Sequence, residues 1–138
     1  MQSRRVKLYA TKKNIELMGF QREAMQLRSE LDRISQRIEQ VRQLLDGYHQ
    51  QMALPDMTGT EYMTILDIYH RLSERRRFDE SRFEVLDAER VRLSGIIVQK
   101  KREIEKLEDK VKVLRVQEIE EKEEKAQKTL PAPRPRTI

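Results

Sequence analysis

Between Leu17 and Met52, apolar residues recur at alternating steps of three and four over eleven consecutive positions: Leu17, Phe20, Ala24, Leu27, Leu31, Ile34, Ile38, Val41, Leu45, Tyr48 and Met52. At an apolar fraction of 37%, chance fills about four of those positions. A 3.5-residue period sustained this far marks a helix that packs a narrow stripe against another helix. Such a helix encloses neither a core nor a pocket by itself, so the pattern predicts a rod rather than a globule.

The composition agrees. Charged residues make up 38% of the 138 residues, aromatics 5%, and the mean hydropathy is −0.84. So polar a chain could also be disordered, but a disordered segment has no use for a seam. There is no cysteine, which removes disulfides and thiolate metal sites and fits a reducing compartment. No run approaches the 18 apolar residues of a membrane span, and no apolar stretch follows Arg4, Arg5 and Lys7 as it would in a secretory signal. A soluble, cytoplasmic protein without membrane insertion is the expectation.

Strong breaker chemistry falls at Leu54-Pro55-Asp56-Met57-Thr58-Gly59-Thr60-Glu61. Pro55 disfavours helical geometry at Leu54, and Thr58 with Glu61 three residues later fits a capping box for a second helix, for which Asp56 and Thr60 are further cap candidates. A second apolar series follows: Tyr62, Ile65, Tyr69, Leu72, Phe83, Leu86, Leu93, Ile97, Ile104, Leu107, Val111 and Leu114, with Arg76, Asp79, Arg90 and Lys100 standing in the same register. Long side chains at such positions lay their stems along the seam, and one or two polar residues there fix register at some loss of stability. The simpler reading, which carries more weight, is that this helix is less well packed than the first.

Two striped helices joined by a short turn predict an all-α fold, a long antiparallel two-helix coiled-coil hairpin. The expected helices cover about 6–53 and about 61–126, with the turn at about 54–60. The first is roughly 70 Å long at 1.5 Å per residue. Folding about residue 57 brings residue 17 near residue 97 and Val6 near Leu107. The second helix overhangs the first, supported by Glu118–Lys122, Glu121–Lys125 and Glu124–Lys128 at i,i+4 spacing. From 127 to 138, Pro131, Pro133 and Pro135 predict an extended, flexible tail.

The sequence holds no Gly-rich phosphate loop, Ser-His-acid arrangement or nucleophile elbow. His49 and His70 lie on opposite helices near the turn without an organised carboxylate, a poor metal site. No catalytic, metal or cofactor residue is assigned, and the chain reads as a non-enzyme.

The net charge of +5 is uneven. Arg4, Arg5, Lys7, Lys12 and Lys13 fall in a stretch without acid, and folding brings Lys100, Lys101, Arg102 and Lys106 to the same end. Phosphate binding needs such a cluster, but base stacking also needs aromatics, and only Tyr9 is present. Glu103, Glu105, Glu108 and Asp109 weaken the field. Nucleic acid therefore ranks below an acidic protein surface as partner. The opposite end is apolar: Tyr48, Met52, Met57, Tyr62, Met63, Ile65, Leu66, Ile68, Tyr69 and Leu72 include three of the four tyrosines and three of the six methionines. Either they form a partner-binding patch or they close the end of the helix pair.

Leu44-Leu45-x-x-Tyr48, a short turn, Tyr62, then Ile65-x-x-x-Tyr69-x-x-Leu72 resembles the FliJ/YscO family. These are the central stalk proteins of flagellar and virulence-associated type III secretion export ATPases. Size, basic charge, absence of cysteine and hairpin form agree with that family, and the resemblance spans most of residues 1–125. The resemblance implies a non-catalytic stalk at the cytoplasmic face of the inner membrane. The termini end would sit in a hexameric secretion ATPase through Arg4, Arg5, Lys7, Lys12, Lys13, Lys100 and Lys101. The hairpin end would face the export gate membrane protein through Tyr48, Met52, Tyr62, Ile68, Tyr69 and Leu72. Secretion chaperones are a further implied partner, and the chain alone should be a monomer. The alternatives are a generic coiled-coil scaffold or chaperone-like adaptor, dimerising through 108–126, and, last, a nucleic-acid-binding rod.

Overall fold

The computed structural model describes residues 2–129, which form two α-helices and no strand: α1, Gln2–Met52, of 51 residues, and α2, Gly59–Thr129, of 71 residues. The two helices pack against each other. Both run further than the sequence pattern indicates, α1 beginning before residue 6 and α2 continuing past 126. The Pro-rich segment from residue 130 onward lies outside the described residues.

The junction is built as its residues dictate. Ala53 and Leu54 donate their N–H groups to Gln50 and Gln51 carbonyls at 3.2 and 3.1 Å, an i→i−3 tightening that ends α1 just before Pro55. At the start of α2, the Glu61 N–H donates to Thr58 Oγ1 at 3.2 Å and the Thr58 N–H donates to Glu61 Oε2 at 3.4 Å. This is the reciprocal capping box, and Glu61 also places a negative charge at the positive helix end.

The chain divides into two compact units, one combining residues up to Gly19 with those from Ile97, the other spanning Phe20–Ile96. In the second unit Leu27, Leu31 and Leu93 form a buried cluster against which Phe20, Phe83 and Leu86 pack, and Ile34, Val41 and Leu45 continue the buried line along α1. Arg82 of α2 pairs with Glu30 of α1, and Asp79 of α2 with Arg37 of α1. In the first unit the buried apolar residues are Ala10, Leu17, Ile104 and Val111. There Lys100 meets Glu16, and Ser3 meets Glu118.

None of the eleven α1 seam residues is exposed; six are buried and five half-buried. On α2 the register holds with one exception at its apolar positions, Tyr62, which is exposed. Of the polar residues in that register, Arg76, Arg90 and Lys100 are half-buried, and Asp79 is almost completely enclosed.

The early start of α1 has a distant cause. Its first turn holds no acid and contains Arg4 and Arg5, both unfavourable beside the positive helix end. Glu118 of α2 supplies the missing anion. The Ser3 N–H donates to Glu118 Oε1 at 3.0 Å, and the Ser3 hydroxyl donates to Glu118 Oε2. One of the unpaired N–H groups of the first turn is thus satisfied from the other helix. None of the three pairs expected in the overhang, Glu118–Lys122, Glu121–Lys125 and Glu124–Lys128, forms among the described residues; Glu118 is held by Ser3 instead.

The two Ser3 hydrogen bonds, side chain first and backbone second, hold the Glu118 carboxyl below its ordinary range. A lowered carboxylate value contributes stability above the ordinary range and loses it as pH falls through the lowered value. The Ser3 amide should therefore be protected from hydrogen exchange at neutral pH and lose protection in acid. In Glu118→Gln the protection should already be weak at neutral pH, without the acid step. A separate expectation concerns two helical glycines: a Cβ built on Gly47 or Gly95 meets nothing within 4 Å. Gly47→Ala and Gly95→Ala should each stabilise the protein by about 1 kcal/mol, read from the urea midpoint.

Candidate functional site

The apolar residues near the turn all belong to the unit spanning Phe20–Ile96. Tyr48 and Met52 come from the last turns of α1, and Tyr62, Ile68, Tyr69 and Leu72 from the first turns of α2. Five of these six are half-buried, and Tyr62 is exposed. Tyr69 is engaged in packing: its ring lies 6.4 Å from that of His49 on α1, tilted by 42°, and 6.5 Å from that of His70, edge-on. The pair of adjacent residues Ile65 and Leu66 is half-buried, as is the pair Ile68 and Tyr69. Most of the apolar series therefore closes the helix pair with part of each side chain and leaves part accessible.

The openly displayed apolar surface lies elsewhere at this end. Leu44 (51% exposed), Leu54 (58%), Tyr62 (42%) and Met63 (63%) present large side chains outward. Leu44 and Leu54 were not among the expected partner residues. Leu44 could have been found by the rule of adjacency: beside seam residue Leu45, it points away from the seam. Leu54 sits in the turn, where periodicity gives no direction.

The basic residues Arg4, Arg5, Lys7, Lys12, Lys13, Lys100 and Lys101 all fall in the other unit. Arg4, Arg5, Lys7, Lys12 and Lys101 are exposed and form no ion pair among the described residues. Lys13 and Lys100 are different. Both reach Glu16 Oε2, from 3.7 and 3.5 Å, and Lys100 also lies 3.8 Å from Glu103. Lys13 further stands 5.4 Å from the centre of the Tyr9 ring, a cation–π geometry. The structure thus separates five cations without an ion pair from two that share Glu16, Lys13 along α1 and Lys100 across the helices. Glu16, which does the neutralising, was not singled out by the sequence reading; its i,i+3 spacing from Lys13 was the available signal.

This unit also displays Leu8, Ile15 and Met18 on α1, at 64%, 66% and 53% exposure, and Val113, Val116 and Ile119 on α2. Leu8, Ile15 and Met18 repeat at steps of seven and three, two residues out of phase with the seam. That second, shorter stripe was legible in the sequence and masked by the stronger one.

Among the described residues, no group of three or more His, Cys, Asp or Glu side chains could hold a metal ion, and no helix is long and apolar enough to cross a membrane. No family model, curated protein or solved structure matches the chain.

The two exposure classes near the turn have different energetic consequences. Tyr69→Ala removes a half-buried ring and its cross-helix contact, and should destabilise by about 1–2 kcal/mol. Tyr62→Ala should stay within about 0.5 kcal/mol of wild type. Urea unfolding followed by far-ultraviolet circular dichroism measures both.

Proposed function

We propose that the chain is a non-catalytic antiparallel coiled-coil stalk of a flagellar or virulence type III secretion apparatus. In this reading it promotes assembly and activity of a hexameric export ATPase and links that ring to the export gate, at the cytoplasmic face of the inner membrane. The observation that supports it most is that two unbroken helices, of 51 and 71 residues, pack against each other through the apolar residues of α1. Paired contacts descend along α2 as they ascend along α1 within each unit, as opposed helices require: Ser3–Glu118 then Glu16–Lys100, and Glu30–Arg82 then Arg37–Asp79.

The free cations Arg4, Arg5, Lys7, Lys12 and Lys101 suit an acidic protein surface, the chemistry proposed for the ATPase contact. Tyr62, with the accessible parts of Tyr48, Met52, Ile68, Tyr69 and Leu72, suits the apolar contact proposed for the export gate. Binding that favours the assembled ring over separate subunits stabilises the ring by mass action, so the stalk needs no chemistry of its own. Secretion chaperones remain part of the same proposal as cargo-bearing partners. Exposed Val113, Val116 and Ile119 favour a second reading, a coiled-coil scaffold that dimerises through 108–126.

The test is the rate of ATP hydrolysis by the secretion ATPase of the source organism, with and without the chain. Wild type should stimulate hydrolysis, and Arg4→Glu/Lys12→Glu should lose most of that stimulation with unchanged helicity. No stimulation by wild type would sink the stalk reading; equal stimulation by the double variant would sink the site assignment alone.

A further inference from the structure

Asp79 is the only charged side chain buried among the described residues, at 1% exposure, and neither of its carboxylate oxygens accepts a hydrogen bond. Two guanidinium groups approach the same oxygen: Arg75 Nε at 3.5 Å, from one turn earlier on α2, and Arg37 Nε at 3.9 Å, from α1. A buried carboxylate held only by ion pairs is a poor way to add stability, since apolar residues of similar size in its place are often as good or better. Its value lies in discrimination between arrangements, the role best attested for polar seam residues.

That discrimination is needed here. The α1 seam around this point is Leu27, Leu31, Ile34, Ile38, Val41 and Leu45. A shift of one heptad exchanges aliphatic for aliphatic at four of these six positions. The other two exchange with Phe20 and Ala24 in one direction and with Tyr48 and Met52 in the other. Every position stays apolar, so burial distinguishes the registers only toward the ends of the run. Asp79 does distinguish them. With opposed helices, a shift of seven residues in one direction sets it opposite Glu30, a like charge; in the other it faces Leu44, without a cross-helix cation.

We infer that Asp79 and Arg37 form a charge latch that fixes the register of α1 against α2 in the unit spanning Phe20–Ile96. The two arginines divide the work. Arg75 travels with Asp79 on the same helix and offsets its charge in every register. Arg37 lies on the other helix and does so in one. The inference uses the opposed direction of the helices from the proposed hairpin, and nothing of its proposed partners.

The chain has no cysteine, so Gln26→Cys and Glu74→Cys, both exposed positions, carry spin labels at defined sites. Their separation lies largely along the helix axes, and a one-heptad shift changes it by about 10 Å. Pulsed electron–electron distance measurement should give one population for the otherwise wild-type chain and for Arg75→Leu. Asp79→Leu and Arg37→Leu should each add a second population displaced by about 10 Å. Asp79→Asn, which keeps the shape and removes the charge, should do the same if the leucine variant fails to fold. A single native distance in Asp79→Leu or Asp79→Asn overturns the latch. So does a second population in Arg75→Leu as large as that in Arg37→Leu. A wild-type distance that fits only co-directional helices overturns the hairpin itself, whereas loss of ATPase stimulation leaves the distances unchanged.

Discussion

The structure depends on burial along one stripe of α1. With two helices and no further layer among the described residues, each seam side chain finds its apolar surroundings only on the partner helix. Full burial of a leucine or isoleucine contributes about 1.5–3 kcal/mol, and most positions here are only partly enclosed. No single residue dominates. In the unit spanning Phe20–Ile96, burial is distributed over Leu27, Leu31, Ile34, Val41 and Leu45 rather than concentrated at one of them. Ile34, at 1% exposure, is the most enclosed apolar residue, and it lies on α1 three residues before Arg37.

Charge is arranged around that stripe in two different ways. Most ion pairs are local, such as Arg42 with Glu39 and Asp46, or Arg92 with Glu89, and they sit on exposed helix faces where each contributes little. Three cross between helices, Glu16 with Lys100, Glu30 with Arg82 and Arg37 with Asp79, and the hydrogen bonds from Ser3 to Glu118 do so as well. These contacts pair particular residues, whereas the middle of the α1 stripe, from Leu27 to Leu45, is aliphatic throughout. Glu118 illustrates the point from another side, since it takes over the role of a helix cap for a residue 115 positions away.

How far the sequence reveals this fold follows from the range of each interaction. The two helices and the capping box at Thr58 and Glu61 were legible, because periodicity and turn chemistry act over a few residues. The start of α1 at Gln2 was not, because its cap belongs to α2. Asp79 was recognisable as a polar residue in the seam, but a seam position does not reveal whether a side chain reaches solvent or is sealed in. Arg76 and Arg90, in the same register, are long enough to stay half-exposed; the short Asp79 is not. Near the turn, the sequence identified an apolar cluster without separating its buried parts from its displayed ones. That division depends on which way each side chain leaves the helix, and Leu44 beside Leu45 shows how one residue changes it. Grouping Lys13 and Lys100 with the free cations missed Glu16 between them. Its pair with Lys13 is local to α1 and could have been read from the spacing, whereas its pair with Lys100 exists only once the helices have met.

The contact between Ser3 and Glu118 also bears on how the chain is made. Translation completes α1 before any of α2 exists, so the whole stripe from Leu17 to Met52 leaves the ribosome without its counterpart. Sixty-six further residues must be added after Met52 before Glu118 is in the chain, which takes about 3–13 s at about 5–20 residues per second. During that interval a long amphipathic helix has only other surfaces to lie on. Its excess of cations, ten basic residues against six acidic over Gln2–Met52, favours a dispersed intermediate while it waits. The basic residues that add little to the finished fold thus protect the half-made one.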